Sequence, residues 1–233
     1  MSSTVYLVPT VLIEGKTDCL PSYIIDAVKD AQVFFVENER TARRYLKLLW
    51  KEMIIDDHEW HNMKEINVGT ERSFRESIRK GNNIAIISEA GCPGIADPGQ
   101  QLVAIAQEMG ARLKPLVGPN SILLALMASG MNGQHFQFHG YLPIEKIERS
   151  KALSALESES RQKRCTQIFI ETPYRNNHVM ETIIKQCHPS TKICVAADLT
   201  GDTEFIKTMT VMEWKKKLPE LHKRQVIFLM EAG

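Results

Sequence analysis

The sequence predicts an α/β protein with two domains, a mostly parallel sheet in the first and a mixed sheet in the second. Three observations support this fold class. Short apolar segments recur along the chain, amphipathic helical segments separate them, and the alternation becomes less regular in the second half. A chain of 233 residues can form one large domain or two small ones. We place the boundary after residue 116, which gives domains 1–116 and 117–233.

The first half alternates strands with helices. Strands are predicted at residues 5–8, 33–36, 53–55, 84–87 and 112–117. The second and fourth of these contain only apolar side chains, as in strands that are buried on both faces. Helices are predicted after Asp18 as a cap, along the basic segment that follows the second strand, from Ser73 to Gly81, and after Gly99. Such alternation indicates a largely parallel sheet that helices cover on both faces.

The second half contains more strands and fewer clear crossover helices. Strands are predicted at residues 136–141, 167–170, 192–197, 203–209 and 225–230. Helices are predicted at residues 143–164 and 176–186, and from a cap at Asn120 or Ser121 to Gly130. Because parallel neighbours need crossover connections, this half is predicted to form a mixed sheet.

The composition, with 43% hydrophobic and 24% charged residues, is typical of a soluble globular protein. The formal net charge is +1, so any surface for nucleic acid would have to be a local patch. The five cysteines include no C-x-x-C pair, the N-terminus does not resemble a signal peptide, and no apolar run approaches the ~20 residues of a membrane span. We therefore expect a cytoplasmic protein with free thiols and no membrane segment.

Several common cofactor motifs are absent from the sequence. No G-x-G-x-x-G follows the first strand and no G-x-x-x-x-G-K-[ST] occurs, which argues against an NAD enzyme and against a P-loop NTPase. The seven histidines show no H-E-x-x-H spacing, so a metal site has little support.

The segment from Ser88 to Asp97 is the first candidate for a binding site. It follows an apolar strand, contains Gly91, Pro93 and Gly94, and precedes a predicted helix. Glycine allows close approach of the backbone to a ligand, and in open α/β sheets ligands bind beyond the carboxyl ends of the strands. The alternative is an ordinary connection between strand and helix, but a loop of ~10 residues exceeds the usual 2–6.

Six segments in a characteristic order extend this interpretation. They are YLVPT at 6–10, ENERTARRYL at 37–46, ISEAGCPGIADPG at 87–99, VGPNS…ALMASGMNGQHFQFHGYLP at 117–143, FIETPYR at 169–175 and, more weakly, DLTGDTEF at 198–205. With these segments the chain resembles the tetrapyrrole (corrin/porphyrin) methylase family, which uses S-adenosylmethionine as methyl donor. Within the family it is most similar to the branch of small-subunit ribosomal RNA 2′-O-ribose (cytidine) methyltransferases.

The resemblance implies a cleft between the two domains in which S-adenosylmethionine binds. The loop from Ser88 to Asp97 would follow the methionine and ribose parts of the donor, and a strand end in the second domain would cover its adenine. The residues assigned to the donor in this way are Pro9, Ser88, Glu89, Ala90, Gly91, Ile95, Asp97, Asn120, Ser121, Glu171, Thr172 and Pro173. The candidates for contacts with RNA phosphates are Arg40, Arg43 and Arg44, with a solvated helix face as the alternative.

The implied activity is methyl transfer to a ribose 2′-hydroxyl of ribosomal RNA or of the small ribosomal subunit, by a homodimer and without a metal. A hydroxyl is a weak nucleophile and benefits from a base. The sequence identifies no catalytic residue, and Glu14, Glu37 and Glu39 are candidates for that base. Two alternatives stay open: the acceptor is a tetrapyrrole or another small molecule, or the chain binds the donor without catalysis. The second alternative arises because the family's usual Ile-Gly-Asn does not follow Pro9 here.

Overall fold

The computed structural model describes residues 3–233. The chain forms two compact units, Met1–Asn120 and Ser121–Gly233, so the division falls slightly beyond the boundary placed from the sequence. Each unit contains its own five-stranded sheet with helices packed against it. The predicted class, two α/β domains with a parallel and a mixed sheet, is confirmed.

The first unit contains a fully parallel sheet. Its strands are β1 (Thr4–Val8), β2 (Val33–Val36), β3 (Glu59–Asn62), β4 (Ile84–Ile87) and β5 (Arg112–Pro115). Its helices are α1 (Ile24–Asp30), α2 (Glu39–Leu49), α3 (Val68–Arg79) and α4 (Gly99–Glu108). The strand order is β3-β2-β4-β1-β5, and every neighbouring pair runs parallel.

Both faces of this sheet are buried at the central strands β2 and β4, which explains why these two strands are apolar throughout. Successive side chains of a strand point to opposite faces. Phe34 accordingly lies in one core with Leu46 of α2, and Phe35 lies in the other core with Leu102 of α4. On that second face the rings of Phe35 and Phe74 meet edge to face, with centroids 5.0 Å apart.

Three local expectations for the first unit were wrong. Residues 53–55 are not a strand; Met53 is buried in the core, Ile55–Asp57 form a 3-10 turn, and the third strand is β3. Asp18 does not cap an α-helix, since it lies in a 3-10 turn and α1 begins at Ile24. The third helix begins before Ser73, because the Asn67 side chain accepts the N–H groups of residues 69 and 70 and caps α3.

The second unit contains the mixed sheet. Its strands are β6 (Phe136–Tyr141), β7 (Thr166–Ile170), β8 (Lys192–Ala197), β9 (Phe205–Thr210) and β10 (Val226–Glu231). Its helices are α5 (Ser121–Ser129), α6 (Lys146–Lys163), α7 (Asn176–Gln186) and α8 (Val211–Trp214). In the order β6-β7-β10-β8-β9, only β6 and β7 run parallel.

The core of the second unit lies between its sheet and helices α6, α7 and α8. Phe169 and Phe228 stack at its centre with ring centroids 5.6 Å apart, and Trp214 donates its indole N–H to the carbonyl of Ile193 at 2.9 Å. No helix within residues 3–233 is long and apolar enough to cross a membrane.

Candidate functional site

The first sheet has a topological switch point between β1 and β4. These strands are neighbours, but the chain leaves β1 towards β2 on one side and leaves β4 towards β5 on the other. Helix α1 covers one face of the sheet and α4 covers the opposite face. Ligands of open α/β sheets bind beyond the carboxyl ends of strands at such a point. The loops that follow Val8 and Ile87 are therefore the candidate site in this unit.

Hydrogen bonds of the buried Thr10 join these two loops. Its N–H donates to the carbonyl of Gly91 at 2.8 Å, and its hydroxyl donates to the carbonyl of Ser88 at 3.3 Å. The Tyr45 hydroxyl on α2 donates to the carbonyl of Pro9 at 2.5 Å. The two loops thus form one braced structure. Thr10 and Tyr45 were absent from the sequence-based site, since nothing in their spacing indicates the loop that they contact.

Asp97 stabilises the conformation of this loop by accepting hydrogen bonds from its backbone. Its carboxylate accepts the N–H of Gly94 at 2.9 Å and the N–H of Gly99 at 2.7 Å. The buried Ser88 hydroxyl lies near this carboxylate and has no hydrogen-bond partner among the described residues. Burial raises the pKa of Asp97, although the two backbone N–H groups oppose the shift. Ala96 has φ of 60°, a strained value of the kind found at binding sites. The described contacts of Asp97 therefore give it a role in loop geometry.

Two glycines allow close backbone approach around this loop. Gly91 has φ of +75°, and a Cβ built there would lie 3.3 Å from both the Leu12 side chain and the Pro119 carbonyl. A Cβ on Gly118 would overlap the Pro9 ring, with 2.1 Å between Cβ atoms. The segment that leads to Asn120 consequently packs directly on the loop after β1.

Glu37 and Glu89 follow neighbouring strands at the same edge. The Glu37 carboxylate accepts the N–H of Glu89 at 2.8 Å, and the Glu89 carboxylate accepts the Thr41 hydroxyl at 2.5 Å. Burial raises the pKa of Glu37, and the nearby carboxylates of Asp97 and Glu89 add to the shift. A half-buried carboxyl with a raised pKa is suited to proton transfer.

The other two candidate bases are engaged in ion pairs with the predicted RNA-binding arginines. Glu39 pairs with Arg43 at 2.8 Å, and Glu14 pairs with Arg44 at 2.9 Å. The Arg43 guanidinium also lies 4.9 Å from the centroid of the Trp60 ring. Arg40 is exposed and has no carboxylate within 4.0 Å among the described residues. Of the three arginines, Arg40 is thus the one whose charge is not already paired.

In the second unit, Glu171 lies at the carboxyl end of β7 with its side chain fully buried. One of its oxygens accepts the N–H of Thr172 at 2.6 Å and Nε of Arg175 at 2.9 Å. Its other oxygen, Oε2, is buried and has no hydrogen-bond partner within the part of the chain that the structure describes. Buried polar atoms are nearly always satisfied, so Oε2 can accept an N–H or O–H group of a ligand. The adjoining Pro173 carbonyl accepts the N–H of Lys223 at 2.9 Å.

A polar network that the sequence did not reveal lies at the same edge of the second sheet. Arg224 donates to the Asp198 carboxylate at 2.7 Å, and the Asp198 N–H donates to the Gln225 carbonyl at 2.9 Å. Asp198, Thr200 and Lys223 all have positive φ, and the Thr200 hydroxyl is buried without a partner among the described residues. The segment from residue 198 contributed to the resemblance, but 26 residues separate Asp198 from Arg224 in the chain.

The structure distributes the predicted donor residues over both units. Those in the first unit are Pro9, Ser88, Glu89, Ala90, Gly91, Ile95, Asp97 and Asn120, and those in the second are Ser121, Glu171, Thr172 and Pro173. Within the first unit, the side chains of Glu89, Ala90 and Ile95 are exposed. Within residues 3–233, no group of three or more His, Cys, Asp or Glu side chains could hold a metal ion.

Comparison with known proteins identifies the family. A family model described as Tetrapyrrole (Corrin/Porphyrin) Methylases matches residues 15–214. The chain belongs to the tetrapyrrole methylase family. The resemblance found from the six sequence segments is thereby confirmed. The crystal structure of the methyltransferase CobJ superposes with a TM-score of 0.64 at 16% identity, covering 100% of this chain and 95% of that one, and supports the same fold.

Two curated relatives of this tetrapyrrole methylase have the same name, Ribosomal RNA small subunit methyltransferase I. The protein from Escherichia coli O157:H7 is 35% identical over 158 residues, which cover 66% of this chain and 54% of that protein. The protein from Bacillus subtilis (strain 168) is 30% identical over 208 residues, which cover 89% of this chain and 68% of that protein. The aligned region thus spans between about half and about two thirds of these relatives.

Proposed function

We propose that this chain is an S-adenosylmethionine-dependent methyltransferase that acts on a ribose 2′-hydroxyl of small-subunit ribosomal RNA. The observation that supports this most directly is the alignment over 208 residues with a relative named Ribosomal RNA small subunit methyltransferase I. The likeness to CobJ, at 16% identity, supports the fold and does not favour a tetrapyrrole acceptor. We further propose that the chain forms a homodimer and is located in the cytoplasm. Light scattering of the purified chain would test the homodimer.

We propose the residues predicted from the sequence as donor contacts, with the loops after β1 and β4 considered in the first unit and the segment after β7 considered in the second. The unpartnered Oε2 of Glu171 fits an amino or hydroxyl group of the donor, and the exposed Ile95 offers apolar surface beside the braced loop. Bound donor would supply a methyl group attached to a positively charged sulfur. Carboxylates near the loop after β4, such as that of Glu89, suit this charge. Calorimetric titration with the donor and with its demethylated product tests the assignment, and absence of binding at millimolar ligand would contradict it.

We propose Glu37 as the base that accepts the proton of the acceptor hydroxyl. The hydroxyl oxygen would form its bond to the methyl carbon as the carbon–sulfur bond breaks, and the proton would pass to the Glu37 carboxylate. Glu37 is favoured over Glu14 and Glu39 because those two carboxylates neutralise arginines. Positioning of donor and acceptor contributes in addition, typically ~7–11 kcal/mol in well-oriented reactions.

The function is tested with small ribosomal subunits from cells that lack this protein. Subunits are incubated with the purified chain and labelled donor, and ribose methylation is mapped by mass spectrometry. The proposal requires methyl incorporation at a ribose that is unmethylated in these cells and methylated in the parent strain. Donor binding without transfer to any RNA would instead indicate a non-catalytic homologue, and transfer to a tetrapyrrole alone would indicate the small-molecule alternative.

The role of Glu37 is tested with Glu37→Gln, with Glu14→Gln as the matched control. The parent rate should fall as the pH falls through the raised pKa of Glu37, and the variant should lose ~10²–10⁴-fold in rate together with this acidic limb. A measurement of the variant's stability distinguishes an effect on catalysis from an effect on folding. A raised pKa in the folded state contributes stability below the ordinary value of 4.5 and loses it as the pH rises, so the variant should be no less stable than the parent at pH 7. A parent-like rate in Glu37→Gln would exclude this base.

A further inference from the structure

Arg149 on α6 is a buried cation that pairs with no carboxylate in the part of the chain that the structure describes. The residue is 7% exposed, yet no carboxylate lies within 4.0 Å of its guanidinium among residues 3–233. Its described side-chain partners are neutral: Nη1 donates to the Ile144 carbonyl at 2.8 Å, and Nε lies 3.4 Å from the Thr182 hydroxyl. A guanidinium has five N–H donors, so several remain for another acceptor. Buried charges in proteins are normally paired, which makes this residue exceptional.

Arg149 lies in a polar groove between α6 and α7. The groove encloses about 150 Å³ and is lined by Lys146, Arg149, His178, Lys185 and the acidic Glu181, together with short polar side chains. Both lysines are exposed at the rim. The other nearby acid on α6, Glu148, pairs with Lys151 at 2.9 Å. The lining therefore holds three permanent positive charges against one negative charge.

We propose that this groove binds a phosphate group of the RNA backbone, in addition to the donor site. Arginine presents its donors in a planar fork that matches phosphate oxygens, and lysine acts on phosphate as a point charge. Arg149 would provide the buried, oriented contact, and Lys146 and Lys185 would provide the exposed charge that attracts the backbone. This inference rests on the proposed RNA substrate, because RNA is the polyanion that the function requires.

The test compares Lys146→Ala/Lys185→Ala with a matched control, Lys216→Ala/Lys217→Ala, which removes two exposed lysines elsewhere in the same unit. Both pairs avoid Arg149, whose replacement could prevent folding through loss of the Ile144 contact. RNA affinity is measured from about 50 to about 200 mM salt, and donor affinity is measured in parallel. Each neutralised phosphate contributes ~0.7–0.9 to the salt slope, so the groove variant, which loses the contact with one phosphate, should lose ~0.7–0.9 of slope.

Over that fourfold salt range, the ratio of the parent's RNA affinity to that of the groove variant should fall by roughly 2.6- to 3.5-fold, with donor affinity unchanged. The control should keep the parent slope. Equal slopes for parent and groove variant would overturn the inference and leave the proposed function intact.

A parent chain that binds donor but no RNA would refute the RNA substrate instead. In that case inorganic phosphate is the deciding probe. Stabilisation of the parent but not of the groove variant by phosphate would assign the groove to a free phosphate, and no difference between them would overturn the site altogether.

Discussion

Replacing Gly91 by alanine should cost the first unit more stability than the same change at Gly94. Both residues have a left-handed backbone conformation, with φ of +75° at Gly91 and +83° at Gly94. A left-handed backbone costs a residue with a Cβ ~1–2 kcal/mol, which is the loss expected for Gly94→Ala because nothing lies within 4 Å of the new atom. At Gly91 the new atom meets Leu12 and the Pro119 carbonyl at 3.3 Å. Overpacking adds ~1–3 kcal/mol, so about 2–5 kcal/mol is expected in total.

The assay is urea denaturation of the full chain, with the midpoint compared at constant m-value. Gly133→Ala is the control, because Gly133 has neither positive φ nor a neighbour within 4 Å of the built Cβ, and a change within about ±0.5 kcal/mol is expected there. Equal losses at Gly91 and Gly94 would refute the argument from crowding. Donor titration of the same variants adds a second measurement, because the methyl group of Gly94→Ala enters open space in the candidate loop and should weaken donor binding.

Three further changes probe the braces and charges of the site. Tyr45→Phe leaves the Pro9 carbonyl without its described donor and should lower the free energy of unfolding by ~1–3 kcal/mol, measured by urea denaturation. Arg40→Ala should lower the RNA salt slope by ~0.7–0.9 while calorimetric donor affinity stays constant; an unchanged slope would remove Arg40 from the RNA surface. Glu171→Gln removes the charge that pairs with Arg175, which is a quarter exposed, and should lower the free energy of unfolding by ~1–3 kcal/mol. The same change should weaken donor binding, and parent-like donor affinity would argue against contact between Glu171 and the donor.

Complete burial made two central strands predictable from the sequence. Residues 33–36 and 84–87 are apolar on both faces, and both became central strands of the parallel sheet. The strand predicted at residues 53–55 was wrong because the true third strand is only partly buried. The true third strand, Glu59–Asn62, lies at the sheet edge with its side chains partly exposed, so its composition contains no strand pattern, whereas Met53 is apolar because it enters the core from an irregular segment.

The sequence by itself determined the fold class, the family and the loop from Ser88 to Asp97, because these depend on local composition and on motifs that are continuous in the chain. Tertiary structure decided which side chains meet there. The strand order brings β1 beside β4, so Thr10 braces a loop that begins 78 residues later. The same applies to the buried Arg149, whose guanidinium meets Thr182 from a helix 33 residues further along the chain. Local patterns encode burial and backbone geometry, but the pairing of charges depends on how the elements pack, and the chemistry of both candidate sites depends on that pairing.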